Sequence, residues 1–190
     1  MCIRDRSVLE ALYSTPAGKN TIVIVLADHG DGMGSHRMVT KQVSFYEEMT
    51  NVPFIIAGPG IHPRQKPVED LLTQPTIDLL PTLCELAGIP VPSSKPGISL
   101  APFLKGEKQK RQHPYAASEW HSEYEVTVSP GRMIRSPRYK YTHYLEGNGE
   151  ELYDMLKDKG ERRNLAHDPK YSKILAEHRA LLDDYIRRTQ

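Results

Sequence analysis

The feature that most constrains this chain is an apolar strand that runs directly into a polar, glycine-rich loop. Residues 21–27 (TIVIVLA) are a continuous apolar run rich in β-branched side chains, and residues 28–41 (DHGDGMGSHRMVTK) follow it. Such a run is typical of a strand buried on both faces inside a parallel sheet. Because ligands of open α/β sheets bind beyond the carboxyl ends of these strands, we expect a site in residues 28–41.

The polar side chains of this loop indicate what the site does. Asp28 offers the oxygen ligands that a hard cation such as calcium or magnesium takes. His29 and His36 suit softer metals or proton donation, and Lys41 suits an anion such as sulfate or phosphate. Metal, anion and proton-transfer groups together favour hydrolysis of an anionic ester. The alternative is a strand followed by an ordinary polar turn.

Composition excludes some classes of function. The net charge is +1 with 26% charged residues, so no overall charge draws the chain toward nucleic acid or a membrane surface. No apolar run approaches the roughly 18 residues of a membrane span. Two cysteines are too few for a disulfide framework. The first six residues (MCIRDR) fit none of the patterns that follow, and we expect them to be a non-native leader.

Two further elements are expected before the middle of the chain. Residues 52–57 (VPFIIA) predict a second strand of the same parallel sheet. Residues 76–88 predict a helix with Asp78 as its N-cap, Pro81 in its first turn and Gly88 just after its end. The proline- and serine-rich residues 90–102 then predict a linker or a long surface loop.

The pattern changes after residue 104. Short apolar and aromatic runs bounded by Gly, Pro and Asn predict antiparallel strands at 115–120, 125–128, 131–135, 139–144 and 151–154. A last helix follows, with a packing face that contains Ile174, His178, Leu181 and Tyr185. We therefore predict an α/β part over residues 7–104 and an antiparallel subdomain with a terminal helix over residues 105–190.

The order of motifs resembles the second half of a type I sulfatase, the formylglycine-dependent branch of the alkaline phosphatase superfamily. The resemblance runs from about Ser7 to the C-terminus. The motifs that carry it are Asp28-His29-Gly30, Gly34-x-His36, Lys41, Phe45-Tyr46-Glu47-Glu48, Val52-Pro53-Phe54, Gly58-Pro59-Gly60, Arg138-Tyr139-Lys140-Tyr141, Glu151-Leu152-Tyr153-Asp154 and Gly160-Glu161-x-x-Asn164-Leu165-Ala166. It implies the C-terminal part of a sulfatase-like α/β sandwich with a mainly parallel sheet, plus a small antiparallel sheet with a packed C-terminal helix.

The resemblance also implies roles for particular residues. Asp28 and His29 would be ligands of one Ca²⁺ per active site, although histidine is an atypical calcium ligand. Lys41 would hold a sulfate oxygen and stabilise charge in the transition state, and His36 would lie in the loop that faces the substrate. The residues that would line the substrate rim are Glu119, Trp120 and His121.

Part of the implied machinery is missing from the sequence. Sulfatases make formylglycine from a Cys/Ser-x-Pro-x-Arg motif, and no such motif occurs here. We therefore expect the chain alone to be inactive, because binding groups cannot replace a nucleophile. The resemblance implies a sulfated small molecule or glycan as partner, no nucleic acid, and a periplasmic or secreted parent protein.

Two other functions stay open at this point. A phosphodiesterase or phosphonate hydrolase of the same superfamily would use the same Asp28, His29 and Lys41, because phosphate and sulfate esters are similar tetrahedral anions. A transition metal would favour the phosphorus chemistry and calcium the sulfur chemistry. The second alternative is a non-catalytic fragment that binds anions or glycans.

Overall fold

A computed structural model describes residues 3–39, 44–69, 71–93, 96–109, 112–121, 130–147 and 149–189. The helices are α1 (Ile3–Tyr13), α2 (Glu47–Thr50), α3 (Pro75–Leu86), α4 (Ala101–Leu104) and α5 (Ser172–Thr189). The strands are β1 (Val23–Leu26), β2 (Phe54–Ala57), β3 (Ala116–Trp120), β4 (Gly131–Arg135), β5 (Tyr139–Tyr144) and β6 (Glu150–Asp154). Short 3₁₀ turns cover Pro16–Asn20, Ser35–Arg37 and Pro169–Tyr171. The mixed α/β fold class with an antiparallel C-terminal sheet is confirmed.

The chain forms two compact units, each built from separated segments. The first unit contains residues 1–27, 53–68 and 75–111, and the second contains residues 28–52, 69–74 and 112–190. Within the described residues, no helix is both long and apolar enough to span a bilayer. The domain boundary at residue 104 and the non-native origin of residues 1–6 stay predictions.

Strands β1 and β2 of the first unit correct the predicted sheet direction. They pair antiparallel, with Val23 opposite Ala57 and Leu26 opposite Phe54. Throughout the described part of the chain, all strand pairs are antiparallel. The expectation of a mainly parallel sheet was wrong here because an apolar run indicates burial, whereas strand direction depends on the connection between strands.

The burial expected for β1 and β2 is also incomplete. Val25 is 46% exposed, Leu26 is 41% exposed and Ile55 on β2 is 56% exposed. The prediction of a strand buried on both faces is therefore not met by the residues that the structure describes. A two-stranded ribbon of this length is only marginally stable in water by itself.

Helix α3 begins at Pro75, and the prediction of Asp78 as its N-cap is wrong. Pro75 suits the first turn because a proline has no N–H to leave unsatisfied there. Asp78 lies one turn further in and is fully buried, and its Oδ1 accepts a hydrogen bond from the Ile98 N–H at 2.8 Å. Its carboxylate therefore binds the backbone at Ile98, within the predicted linker, and does not cap the start of the helix.

A second side chain of α3 holds the same segment. Thr82 Oγ1 donates to the Asp78 carbonyl at 2.6 Å and accepts from the Leu100 N–H at 3.0 Å. Pro81 cannot donate to the carbonyl of Ile77, and Gly97 packs so closely on that carbonyl that a Cβ would overlap it. The buried face of α3 is consequently partly polar, whereas Leu80 and Leu83 are exposed.

The second unit is a four-stranded antiparallel sheet in the order β3-β4-β5-β6, with α5 packed on it. Strands β4 and β5 have the predicted bounds, while the predicted strand at 125–128 lies outside the described residues. The buried residues of its core are Tyr115, Ile134, Tyr141, Leu152, Leu165, Leu175 and Leu182. Leu175, His178 and Leu182 form the buried face of α5, and Ile174, Leu181 and Tyr185 pack beside it. This confirms the predicted packing face.

Candidate active site

The predicted metal ligands Asp28 and His29 lie in a tight turn. The His29 N–H donates to Asp28 Oδ1 at 3.0 Å, and Asp28 Oδ2 lies 3.5 Å from His29 Nε2. The Asp28 side chain is 88% exposed and the His29 side chain is 37% exposed. The carboxylate oxygen and the ring nitrogen therefore lie side by side at the surface of the second unit.

The other ring nitrogen of His29 fixes which tautomer faces Asp28. His29 Nδ1 lies 2.7 Å from the Gly30 carbonyl oxygen. Because a carbonyl can only accept, Nδ1 carries the proton, and in the neutral ring Nε2 keeps its lone pair. A backbone carbonyl that accepts from the second ring nitrogen is the usual support of a metal-binding histidine.

The spacing of the two ligand atoms suits a single ion. Oxygen ligands lie about 2.4 Å from calcium, so neighbouring ligand atoms at right angles are roughly 3.4 Å apart. Asp28 Oδ2 and His29 Nε2 are 3.5 Å apart. These two residues thus fit the metal that the resemblance implies, as two members of a larger ligand set.

Gly30 packs this turn tightly against α2. Its N–H donates to the Met49 carbonyl at 2.9 Å. Its Cα approaches the Glu48 carbonyl so closely that an added Cβ would overlap the oxygen. Only glycine permits this contact, so the Asp28-His29 turn depends on where α2 lies.

The loop that contains His36 has an unusual backbone. Met33, His36 and Arg37 have φ values of 46°, 50° and 63°, a left-handed conformation that is uncommon for residues other than glycine. The His36 ring stacks on Tyr46 with centroids 3.7 Å apart. This contact gives His36 a packing role, and its predicted role toward substrate stays a prediction. Lys41 lies outside the described residues.

A buried ion cluster contacts the start of α2, and its residues had no predicted role. Lys140 Nζ is 2.7 Å from Glu47 Oε1 and 2.9 Å from Glu161 Oε1, and it donates to the Phe45 carbonyl at 2.9 Å. Lys140 and Glu161 are each 1% exposed. Their only sequence signals were the Arg-Tyr-Lys-Tyr and Gly-Glu motifs, which do not reveal that the two charges meet.

Three side chains near this cluster carry groups that could ligate a metal. Ligand atoms of His36, Glu48 and Glu161 all lie within 4.8 Å of one another. The Lys140 ammonium already neutralises Glu161. Burial raises the pKa of the Glu161 carboxyl, while the charge of Lys140 opposes that rise. The protein thus supplies its own cation here, and we assign no metal to this group.

The predicted rim residues form a second polar group, at the end of β3. His121 Nε2 donates to Glu119 Oε2 at 3.1 Å, and Arg132 Nε lies 3.5 Å from the same oxygen. Burial acts to raise the pKa of Glu119, but hydrogen bonds from His121, Tyr185 and Arg132 and the charge of Arg132 outweigh it and lower the pKa. Trp120 Nε1 is buried and has no hydrogen-bond partner among the described residues.

Comparison with known proteins places these residues in a family. Residues 34–188 match the family described as N-sulphoglucosamine sulphohydrolase, C-terminal. The Δ4,5-hexuronate-2-O-sulfatase of Bacteroides thetaiotaomicron is 78% identical over 184 residues, which are 97% of this chain and 38% of that protein. The chain therefore spans little more than a third of this relative.

Solved structures show the same relationship. A 2-O GAG sulfatase superposes with a TM-score of 0.93 at 78% identity, covering 96% of this chain and 40% of that chain. The phosphonate monoester hydrolase of Agrobacterium radiobacter superposes with a TM-score of 0.80 at 26% identity, covering 96% of this chain and 38% of that chain. The predicted resemblance to a sulfatase is thus confirmed, and this chain belongs to the N-sulphoglucosamine sulphohydrolase C-terminal family of sulfatases.

Proposed function

We propose that this chain supplies part of the active site of an enzyme that hydrolyses the sulfate ester of a sulfated carbohydrate. The observation that carries the proposal is the Asp28-His29 turn, in which Asp28 Oδ2 and His29 Nε2 lie 3.5 Å apart while Nδ1 faces the Gly30 carbonyl. The 78% identical hexuronate sulfatase supports a substrate with a 2-O-sulfate on an unsaturated uronic acid.

Asp28 and His29 would hold the Ca²⁺, and the Gly30 carbonyl would keep the His29 ring in its metal-binding tautomer. When bound, the ion supplies positive charge that neutralises sulfate oxygens in the transition state. Lys41 would contribute a second positive charge to the same oxygens. The residues that would contact the sugar at the rim are Glu119, Trp120 and His121.

The nucleophile would come from outside this sequence. Formylglycine requires a Cys/Ser-x-Pro-x-Arg motif, and this sequence contains none. The catalytic constellation would be complete only together with the segments that the relative has beyond its 38% match. The 190-residue chain alone would therefore show no turnover, and a periplasmic or secreted location remains an expectation for the whole protein.

A hybrid enzyme tests the proposal. In this hybrid, the matching segment of the B. thetaiotaomicron sulfatase is replaced by the aligned residues of this chain. We expect it to release sulfate from an unsaturated 2-O-sulfated uronate disaccharide within about ten-fold of the relative's rate. Asp28→Ala should abolish the release, while Asp31→Asn should preserve it, because Asp31 is exposed and its Oδ1 accepts from the Met33 N–H within the same turn. A folded but inactive hybrid would contradict the proposal.

A second candidate is hydrolysis of a phosphonate or phosphate ester, which the similarity to a phosphonate monoester hydrolase and the imidazole ligand favour. The same hybrid separates the two functions when it is given an aryl sulfate and an aryl phosphonate monoester side by side. Faster turnover of the sulfate, supported by calcium, would agree with the first proposal. Faster turnover of the phosphonate, supported by a transition metal, would replace it with the second.

A further inference from the structure

The Lys140–Glu161 pair belongs to the same unit as the Asp28-His29 turn but lies far along the chain from it. Lys140 is on β5 and Glu161 is in the turn after β6. Their charged atoms are 2.9 Å apart and almost completely buried. Ion pairs of this kind are costly to desolvate, so they are held in place only when further hydrogen bonds satisfy both partners.

The further hydrogen bonds of this pair all reach the segment around α2. Lys140 Nζ donates to the Phe45 carbonyl at 2.9 Å and contacts Glu47 Oε1 at 2.7 Å. Glu161 Oε2 accepts from the Glu47 N–H at 2.7 Å. The pair therefore fixes both the backbone and one side chain where α2 begins, and its hydrogen bonds to Phe45 and Glu47 join residues 95 and 114 positions apart in sequence.

The other end of α2 is joined to the candidate metal site. The Met49 carbonyl accepts from the Gly30 N–H at 2.9 Å, and Gly30 has no space for a Cβ against Glu48. The Gly30 carbonyl in turn is 2.7 Å from His29 Nδ1. A displacement of α2 would therefore move the group that sets the tautomer and orientation of the His29 ring.

We propose that Lys140 and Glu161 are positioning residues for the Asp28-His29 metal turn, acting on it through α2. The inference rests on the proposed function only in taking that turn as the metal site. Neither residue touches Asp28 or His29 in this pathway, so their effect is on the placement of the ligands. The C-terminal segments of the second unit would thus hold the metal turn in place as well as form the substrate rim.

Hydrogen exchange of the 190-residue chain tests the pathway without any assay of activity. In Lys140→Met, amides of residues 28–50 should exchange about ten-fold faster than in the unchanged chain, while amides of β4 to β6 change much less, as expected for local opening. Arg138→Met is the matched control, because Arg138 lies two residues before Lys140 and forms its ion pair with Asp154. The Arg138→Met substitution should leave the amide exchange rates of residues 28–50 unchanged.

Two results would overturn the inference. One is unchanged exchange of residues 28–50 in Lys140→Met, and the other is an equal increase across the whole second unit, which would indicate a structural role alone. If Lys140→Met does not fold, Glu161→Gln provides the same comparison, because it keeps the side-chain volume and removes the charge. An unchanged exchange pattern in that variant would also contradict the inference.

The hybrid enzyme supplies a second measurement that distinguishes positioning from simple destabilisation. Lys140→Met should raise the calcium concentration needed for half-maximal turnover by about ten-fold, and excess calcium should restore the rate, because the ligands are present but poorly placed. Loss of rate without rescue by calcium would count against positioning. If the unchanged hybrid has no turnover, the proposed function fails, whereas hydrogen exchange still decides the role of Lys140.

Discussion

Lys140 Nζ lies 2.9 Å from Glu161 Oε1, and each side chain is 1% exposed. The carboxylate is presented from a turn in which Glu161 has a φ of 49°, a conformation that residues other than glycine rarely adopt. Strain of this kind persists only where the surroundings determine the conformation. The pair therefore ties three separate segments together: β5, the turn after β6 and the start of α2.

The energy of this pair can be measured by a double-mutant cycle. Lys140→Met should lower the free energy of unfolding by about 3–5 kcal/mol, because it leaves the Glu161 carboxylate buried without its cation. Glu161→Gln should lower it as well, while the double variant should cost less than the sum of the two. Urea unfolding measures all four proteins, and strictly additive losses would mean that the charges are not coupled.

Gly30 provides a steric test of the contact between the Asp28-His29 turn and α2. In Gly30→Ala the new methyl group overlaps the Glu48 carbonyl oxygen, so either the turn or α2 must move. We expect a loss of stability of about 2 kcal/mol or more, typical of overpacking. Gly34→Ala is the control: it also adds a methyl, but into open space at a φ of 97°, and should cost only about 1–2 kcal/mol from backbone strain. Thermal or urea unfolding compares the two, and an equal or smaller loss in Gly30→Ala would show that the contact is loose.

His178 predicts a dependence of stability on pH. Its Nδ1 donates to the Ile174 carbonyl at 2.8 Å, its Nε2 is 2.9 Å from Ser136 Oγ, and burial lowers its pKa below 6.5 although Glu177 opposes the shift. His178 therefore binds a proton more readily in the unfolded chain than in the folded one. The stability that the neutral His178 ring contributes is fully present above pH 6.5 and is lost as the pH falls below it.

His178→Gln isolates this effect from the other titrating groups. We expect the variant to show a flatter loss of stability between pH 6.5 and about 5 than the unchanged chain, measured as the midpoint of urea unfolding at each pH. The carboxyls of Glu151 and Glu161, whose pKa values burial raises, act in the opposite direction and are present in both proteins. Identical pH profiles would contradict the prediction.

The Arg179–Glu150 pair predicts a second, more acidic transition. Hydrogen bonds from Arg179 lower the pKa of Glu150 to about 2, so its stabilising effect is present above pH 4.5 and is lost as the pH falls toward 2. Arg179 is half exposed, so Arg179→Met should cost only about 1 kcal/mol at pH 7. Arg187→Met, which removes a longer surface contact with Asp184, is the control and should cost less. Unfolding midpoints at pH 7 and pH 3 should differ less in Arg179→Met than in the unchanged chain.

The sequence predicted the elements whose pattern is local. Strands β4 and β5 have the predicted bounds because each is a short run between turn residues, and α5 has the predicted packing face because its apolar residues recur at helical spacing. The antiparallel pairing of β1 with β2 could not be predicted in this way. The role of Asp78 was also hidden, since its partner Ile98 is 20 residues away and only the fold brings them together.

The candidate site shows the same difference between residues in local motifs and residues that meet only in the fold. Asp28 and His29 could be proposed from the sequence because they directly follow an apolar run and belong to a motif of adjacent residues. Lys140 and Glu161 could not, because their meeting depends on strand register and on the left-handed turn at Glu161. Residues that act through contacts between distant segments are therefore found only in the structure.

The calcium content of the purified hybrid enzyme, measured by elemental analysis after dialysis against metal-free buffer, tests directly whether Asp28 and His29 bind the metal. We expect one Ca²⁺ per molecule in the unchanged hybrid and in the Asp31→Asn control. We expect a nearly complete loss of calcium in Asp28→Ala and a reduced content in His29→Ala. Full retention of calcium in Asp28→Ala would show that the Asp28-His29 turn is not the metal site.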